Sequence, residues 1–482
     1  MSDQVQRSFL GVYDKMLKTM QLDYACCARY EASGYADFAG QLYALNANMF
    51  QNAAFCDRTL TQMMLHYLMW YQDPGLQLVT GPGVAWHVRQ DCRTQRLGDE
   101  LWVTWAAPDA ELHVGERITG INGMPLPEVR PEVERTLWTT VEPPDPERED
   151  WSVVLAFAKH LQVRGVDGAE RTVRVDARAG DVSRMARADA DGGPGAAPGD
   201  GDMTGAGTIP RDGALACAVQ DDASCALCMR EGVCVLTLRD AGAPGFATSL
   251  AKLLPRARSA QSLVIDVRGC RGGTQQDVYP LVPLVLAPGE KAAPERLFGP
   301  AGVVVNYARH NADEKLAEIV RLRSETGESA EIAELDALEA DVRSKRGRGF
   351  FRELCEPGEG FYPTNVSFES AAPAGERRRV TVLTDRFTGE AAEWLVRAAR
   401  QAGFATLMGR ATLGSLDNTC PRAVRLDQDF TLIVPTATYV AALSGMATLG
   451  RGIAPDEHLA WTPEQLAHDT ELDLACSKVR EP

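Results

Sequence analysis

At residues 262–273 the chain reads SLVIDVRGCRGG, and at residues 380–394 it reads VTVLTDRFTGEAAEW. Each segment consists of an apolar run rich in β-branched residues, a polar turn that contains glycine, and the start of a helix. This order predicts a strand–turn–helix unit, whose turn lies at the carboxyl end of a sheet strand. Because strands alternate with helices around both segments, we expect right-handed crossovers and a mostly parallel sheet in an α/β core.

Length and charge limit the kinds of protein that this chain can be. A chain of 482 residues is too long to fold around a single hydrophobic core. This length indicates about two to four domains. A formal net charge of −16 argues against nucleic-acid binding, because contacts to phosphate need clustered Lys and Arg. The sequence begins without a secretory signal pattern, and no stretch approaches the roughly 18 consecutive apolar residues of a membrane span. We therefore expect a cytoplasmic protein without membrane contact.

The first part of the chain is predicted to be helical. Apolar residues recur at helical spacing through residues 1–80, as in the series Leu60, Met64 and Tyr67. Much further along, residues 188–202 read ADADGGPGAAPGDGD and offer almost nothing to bury. This composition predicts a flexible linker over residues 180–213.

Residues 81–179 alternate as β-strands do, and residues 112–126 read LHVGERITGINGMPL. Asn122 and Gly123 predict a tight turn, because both residue types tolerate positive φ. This run is similar to a hairpin of PDZ domains, so residues 81–179 are interpreted as a PDZ-like β domain. Such a domain either adds an extended peptide to its sheet edge or only supports the core.

The core is predicted over residues 214–305 and 350–475, with an insertion at 306–349. Apolar stripes that include Val320 and Leu338 predict a helical hairpin for the insertion. The hairpin is either a solvated surface element, or a lid or homo-oligomer contact.

The two strand–turn–helix segments, together with the string GIAPD at 452–456, resemble the tail-specific (C-terminal processing) protease superfamily. This superfamily includes the tricorn core and the repeats of interphotoreceptor retinoid-binding protein. The resemblance implies a crotonase/ClpP-like core with a mostly parallel sheet. It also implies that the first turn, here Gly272 and Gly273, supplies oxyanion amides, and that the second turn carries a nucleophilic serine.

The catalytic positions implied by the resemblance hold other residues in this chain. The serine position is Glu390, and the histidine position of tricorn-type members, within YQDPGLQL, is Gly75. The lysine position of bacterial members, within GRATLGSL, is Ser415, and the late glutamate position is Leu449. Neither version of the catalytic machinery is preserved at these four positions.

A relocated nucleophile is the alternative to a lost one. Ser415 and Ser444 are the candidate hydroxyls, with Thr388 and Thr412 nearby in the expected cleft loops. Cys270 is more readily interpreted as a packed turn residue, and His66 as a packed or surface histidine. Glu390 would be stabilised at a helix start and would plug the oxyanion pocket as a product carboxylate does.

These observations favour a degenerate pseudopeptidase that binds a peptide or protein without cleaving it. The alternative is an active serine-type peptidase with a rearranged site, and the retinoid-binding relatives suggest a third class, a binder of apolar small molecules. No cofactor is expected. One cysteine cluster is a candidate structural metal site, but free packed thiols are the favoured interpretation. Its members are Cys217, Cys225, Cys228 and Cys234.

Overall fold

The computed structural model of the chain describes residues 8–27, 56–81, 84, 92–108, 110–134, 137, 145–175, 224–326, 329–353 and 367–481. The predicted linker at 180–213 lies outside the described residues.

The described helices are, in chain order, α1 (Phe9–Leu22), α2 (Asp57–Met69), α3 (Leu126–Val133), α4 (Ser152–Phe157), α5 (Phe246–Ser259), α6 (Val282–Val285), α7 (Pro294–Phe298), α8 (Arg309–Glu325), α9 (Ser329–Lys345), α10 (Glu390–Ala402) and α11 (Thr470–Arg480). The described strands are β1 (Gln77–Thr80), β2 (Cys92–Leu97), β3 (Glu100–Ala106), β4 (Arg117–Ile121), β5 (Met124–Pro125), β6 (His160–Arg164), β7 (Glu170–Arg174), β8 (Cys225–Arg230), β9 (Val233–Leu238), β10 (Ser262–Asp266), β11 (Lys291–Ala292), β12 (Val303–Asn306), β13 (Phe350–Glu353), β14 (Phe368–Glu369), β15 (Arg379–Thr384), β16 (Thr406–Gly409), β17 (Asn418–Arg425), β18 (Phe430–Tyr439) and β19 (Glu457–His458).

A six-stranded sheet forms the centre of the core, with the order β19-β16-β15-β10-β9-β8. All its pairings are parallel except that of β8 with β9, so the predicted mostly parallel sheet is confirmed. Helices cover both faces: α5, α6 and α10 pack on one face, and α11 packs on the other. Burial on both faces explains why β10 and β15 read as continuous apolar runs rather than alternating ones.

The N-terminal segment joins the core through a second sheet. Its strand β1 pairs antiparallel with β18, with Leu78 opposite Leu432. The remaining order is β18-β12-β13, and β17 pairs antiparallel with the opposite edge of β18. Helices α1 and α2 bury Tyr13, Met16 and Met64 against this sheet. The helices predicted at residues 1–80 are therefore present at α1 and α2, and they share a hydrophobic core with the C-terminal strands.

A third sheet belongs to the predicted β domain, with the order β2-β3-β4-β6-β7 and β5 paired to β4. The hairpin between β4 and β5 turns at Asn122 and Gly123, whose φ values are +52° and +86°. These values are those expected of a type I′ turn, so the predicted turn chemistry is confirmed.

The insertion forms two packed helices, α8 and α9, as predicted. Leu316, Ile319 and Val342 bury their side chains against β12. The prediction for Val320 and Leu338 is wrong, because they are 56% and 45% exposed. Val320 follows the buried Ile319 directly, and adjacent helical residues point about 100° apart. No helix in the described part of the chain is long and apolar enough to cross a membrane.

Candidate active site

The two turns predicted from the sequence lie side by side and are joined by hydrogen bonds. Parallel pairing of β10 with β15 brings their carboxyl ends together, with Ile265 opposite Val382. The Gly389 amide donates to the Cys270 carbonyl at 3.1 Å, and the Ala391 amide donates to the Gly272 carbonyl at 3.3 Å. Each turn therefore fixes the backbone of the other.

The first turn requires glycine at two consecutive positions. Gly272 and Gly273 have φ values of +76° and +73°, which side chains rarely tolerate. A Cβ at Gly273 would lie 2.8 Å from the Ala241 carbonyl oxygen, and one at Gly272 would lie 2.8 Å from the Gly242 amide nitrogen. The backbone of this turn therefore lies in close contact with residues 241–242, as only glycine allows.

Glu390 lies at the first position of α10 and contacts this turn. Its carboxylate oxygen Oε2 accepts a hydrogen bond from the Gly272 amide, as expected for a side chain that occupies the oxyanion position. Its own backbone is left-handed, with φ at +53°, which is uncommon for a residue with a side chain. The Gly272 amide is thus hydrogen-bonded to the Glu390 carboxylate of the same chain.

Ser415 lies beside Glu390 and is held by a buried carboxylate. The Glu390 amide donates to Ser415 Oγ at 2.7 Å, and that hydroxyl donates to Glu393 Oε2 at 2.7 Å. Glu393 is fully buried and accepts three further hydrogen bonds, from Thr412 Oγ1 at 2.5 Å, the Gly414 amide at 2.9 Å and the Ser415 amide at 2.7 Å. Two acceptor oxygens therefore satisfy four donors of one loop.

Arg148 connects the loop that carries Ser415 to the β domain. Its buried guanidinium donates to the carbonyls of Thr412 at 2.7 Å and Leu413 at 3.1 Å. Burial lowers the pKa of Arg148, and the nearby Glu393 charge opposes that shift. The loop is thus held by a carboxylate on one side and by a cation on the other.

Gly75, at the predicted histidine position, has no side chain and no room for one. A Cβ there would lie 2.7 Å from Pro435 Cγ, and its amide donates to Asp73 Oδ1 at 2.8 Å. Asp73 is buried and also accepts hydrogen bonds from Tyr24 and Asn418, each at 2.7 Å. Burial raises the pKa of Asp73 despite these donors. Sequence reasoning missed this carboxylate, although it lies two residues from Gly75.

Leu449, at the predicted glutamate position, offers a hydrocarbon side chain to the same region. Its neighbour Thr448 donates through Oγ1 to Asp417 at 2.9 Å. A Cβ at Gly414 would lie 2.5 Å from the Thr448 carbonyl oxygen, so the segment around Leu449 packs directly on the Ser415 loop. Neither Gly75 nor Leu449 can exchange a proton through its side chain.

The other predicted hydroxyls are committed to structural hydrogen bonds. Ser444 donates to the Val440 carbonyl at 2.9 Å within its own turn. Thr388 and Thr412 are fully buried. The Thr388 hydroxyl donates to the Val267 carbonyl at 3.0 Å, and that of Thr412 donates to Glu393. Among these candidates, Ser415 alone has a hydroxyl beside Glu390.

Cys270 and His66 pack as predicted from the sequence. Cys270 is fully buried in the main core cluster, and burial raises the pKa of its thiol. His66 lies on α2 and makes an edge-to-face contact with Phe157, with ring centroids 6.4 Å apart. Burial lowers the pKa of His66.

The cysteine cluster does not converge in the described part of the chain. Cys225 and Cys234 are buried in the core beneath α5, whereas Cys228 packs on the opposite face of the sheet, beside α11. Cys217 lies outside the described residues. Within the described ranges, no group of three or more His, Cys, Asp or Glu side chains could hold a metal ion.

An open cleft of about 470 Å³ lies beside the glycine turn. Its lining includes Gly242, Phe246, Thr248, Gly273 and Asp277. The cleft is thus a concave surface that directly adjoins the glycine turn.

Comparison with known proteins shows what the core is similar to. Residues 232–459 match the model of peptidase family S41. No curated protein sequence matches the chain significantly. The crystal structure of mature CPAF is similar in fold, with a TM-score of 0.60 and 14% identity over 98% of this chain and 96% of that chain.

A second CPAF structure, described as complexed with lactacystin, has a TM-score of 0.59 and 14% identity over 98% of this chain and 97% of that chain. The photosystem II D1 C-terminal processing protease aligns with a TM-score of 0.41 and 11% identity, over 98% of each chain. The match of residues 232–459, the parallel sheet and the paired turns lead to one conclusion: the core of this chain is similar to peptidase family S41 and has the fold seen in CPAF.

Proposed function

We propose that this chain is a pseudopeptidase, which binds a peptide or protein in the cleft beside the glycine turn and does not cleave it. One observation carries the proposal. The Glu390 carboxylate stands at the serine position of the family and accepts the Gly272 amide hydrogen bond, which a serine peptidase needs for the developing oxyanion.

Chemistry at the site supports this proposal. A serine hydrolase needs a nucleophile, a base within reach of it, and free amide donors. Glu390 offers a carboxylate in place of the hydroxyl, and Gly75 offers no base. Loss of nucleophile and base leaves at most the modest acceleration that binding and oxyanion donors provide.

An active peptidase with a rearranged site is a second candidate, because Ser415 Oγ donates to Glu393 at 2.7 Å. In that mechanism Ser415 would attack a carbonyl and Glu393 would accept its proton. Glu393, however, already accepts four hydrogen bonds, so a proton taken from Ser415 would have to displace one of these donors. Ser415 Oγ also accepts the Glu390 amide. The pseudopeptidase is therefore the better supported function.

Fluorescently labelled, unfolded casein tests the proposal through two readouts. We expect its anisotropy to rise on mixing with the full chain, and electrophoresis to show intact casein after overnight incubation. Thr248→Trp should reduce binding because it fills the cleft. Ser259→Trp, at the exposed far end of the same helix α5, is the matched control and should bind normally. Cleaved casein would overturn the proposal, as would equal binding by both variants.

A further inference from the structure

Two arginine side chains lie close to Phe387, and one of them, Arg271, directly precedes the glycine turn. The Arg93 guanidinium lies 5.8 Å from the centre of the Trp105 ring and 5.3 Å from the centre of the Phe387 ring. Within the described residues, no carboxylate forms an ion pair with Arg93 inside 4.0 Å. Aromatic rings therefore flank this cation without neutralising it.

Arg271 brings a second guanidinium to the same place. It occupies the residue before Gly272 and is exposed, and its Nε donates to the Phe387 carbonyl at 3.2 Å. This bond uses Nε alone, so the two terminal nitrogens of the Arg271 guanidinium are not engaged by that carbonyl. Arg93 and Arg271 thus converge on Phe387 from two different domains.

A third arginine nearby is not available in the same way. The Arg386 guanidinium lies 4.6 Å from the centre of the Phe387 ring, but it is buried and donates to the carbonyls of Glu149 and Thr94, the latter at 2.7 Å. Arg386 is therefore a structural tie between the β domain and the core. The contrast leaves Arg93 and Arg271 as the cations with unused donors.

Carboxylates near Arg93 are engaged elsewhere. Asp385 Oδ1 accepts hydrogen bonds from the amides of Gly269 and Phe387 and from the Thr388 hydroxyl. Asp150 Oδ1 accepts the Ser152 amide. Both attract Arg93 only from a distance, and burial together with the Arg271 charge lowers the pKa of Arg93. A partly buried cation without a close counter-ion is costly, and an anionic ligand would remove that cost.

We propose that Arg93 and Arg271 form a subsite for an acidic side chain, Asp or Glu, of the peptide that occupies the cleft. Guanidinium groups suit this ligand because each can hold a carboxylate through two parallel hydrogen bonds. Trp105 and Phe387 flank the Arg93 guanidinium, and the lower local dielectric beside these rings strengthens its interaction with a carboxylate. The inference rests on the proposed function, since it names the class of peptide that the same cleft would take.

Two fluorescein-labelled decapeptides test the subsite, one with alternating Ala and Glu and one with alternating Ala and Gln. Both are amidated at the C-terminus, so that side-chain carboxylates alone differ. The full chain should bind the Glu peptide at least about tenfold more tightly, since hydrogen bonds to charged groups are worth roughly that factor. Arg271→Gln and Arg93→Gln should each remove most of this preference, and Arg93→Lys should retain part of it.

Arg256→Gln is the matched control, because it removes the same charge from an exposed position on α5. It should keep the wild-type preference for the Glu peptide. A Glu peptide with a free C-terminus should bind no more tightly than the amidated Glu peptide. If only the peptide with the free C-terminus bound tightly, the arginines would recognise a terminal carboxylate, and the side-chain subsite would be overturned. Equal affinity for Glu and Gln peptides, weak binding of both, or an unchanged preference in the folded Arg271→Gln variant would also overturn it. Chromatography of the recovered peptides shows whether they were cleaved. Cleavage would contradict the pseudopeptidase, whereas the preference for the Glu peptide over the Gln peptide could still be measured. The two proposals therefore fail separately.

Discussion

Replacement of Glu393 by Ala gives a quantitative test of how the Ser415 loop is held. The Glu393 carboxylate is fully buried and accepts hydrogen bonds from the Gly414 and Ser415 amides and from two hydroxyls. The hydroxyls can rotate to other acceptors, whereas the two amides cannot. An unsatisfied buried donor costs about 1–3 kcal/mol, so the two amides together predict a loss of about 2–6 kcal/mol in the local stability of the loop.

Hydrogen exchange measured by mass spectrometry reads this loss directly, because it follows local opening rather than global unfolding. A loss of about 2–6 kcal/mol corresponds to exchange that is roughly 30-fold to 10⁴-fold faster in a peptide covering residues 409–418. Glu376→Ala removes an exposed carboxylate and should leave that peptide unchanged. Exchange within about threefold of wild type in Glu393→Ala would refute the role assigned to this carboxylate.

Three further predictions follow from the site, the sequence and the thiols. Glu390→Ser should restore the family residue without peptidase activity in a casein assay, since Gly75 supplies no base; cleavage by this single variant would reveal a base elsewhere in the chain. Brief trypsin treatment should cut first near Arg187 or Arg211, beside the segment 188–202 that has little to bury, as judged by N-terminal sequencing; first cuts within 230–300 would contradict the predicted boundary. Iodoacetamide should modify Cys56 before Cys234 in the native protein. Partial burial of Cys56 raises its pKa, but hydrogen bonds from Thr59 and Arg58 outweigh this effect and lower the pKa below 9.0. Burial raises the pKa of Cys234 to about 11. Alkylation needs the thiolate, so the rate at Cys56 should rise with pH and reach half its maximum below pH 9.0, and faster modification of Cys234 by peptide mapping would contradict this order.

Local sequence signals predicted the parts of the fold that depend on short-range chemistry. The apolar runs at β10 and β15 can be buried on both faces only in a covered parallel sheet, and consecutive glycines at 272 and 273 indicate a backbone that no side chain could adopt. The Asn122-Gly123 turn is another local signal. Parallel pairing then follows from chain order, and with it the contact between Gly272 and the start of α10.

Contacts between distant residues could not be predicted in the same way. Ser415 and Glu393 are separated by 22 residues, and the course of the chain through the rest of α10, strand β16 and the following loop determines whether their side chains meet. Arg148 reaches the Thr412 carbonyl across 264 residues and two domains. Nothing in the spacing of Glu393 indicates that four donors of another loop surround it. Val320 and Leu338 show the opposite error, because their hydrophobic character predicts burial but both side chains are exposed.

Labelling with a fluorophosphonate probe is the sharpest test of the pseudopeptidase, because the probe reacts with an activated serine and requires no knowledge of the substrate. We expect mass spectrometry to find no labelled residue in the native chain at neutral pH, and the same result for Ser415→Ala. An active serine peptidase labelled in parallel controls the probe. Stoichiometric labelling of the wild-type chain that disappears in Ser415→Ala would contradict the pseudopeptidase and establish Ser415 as the nucleophile.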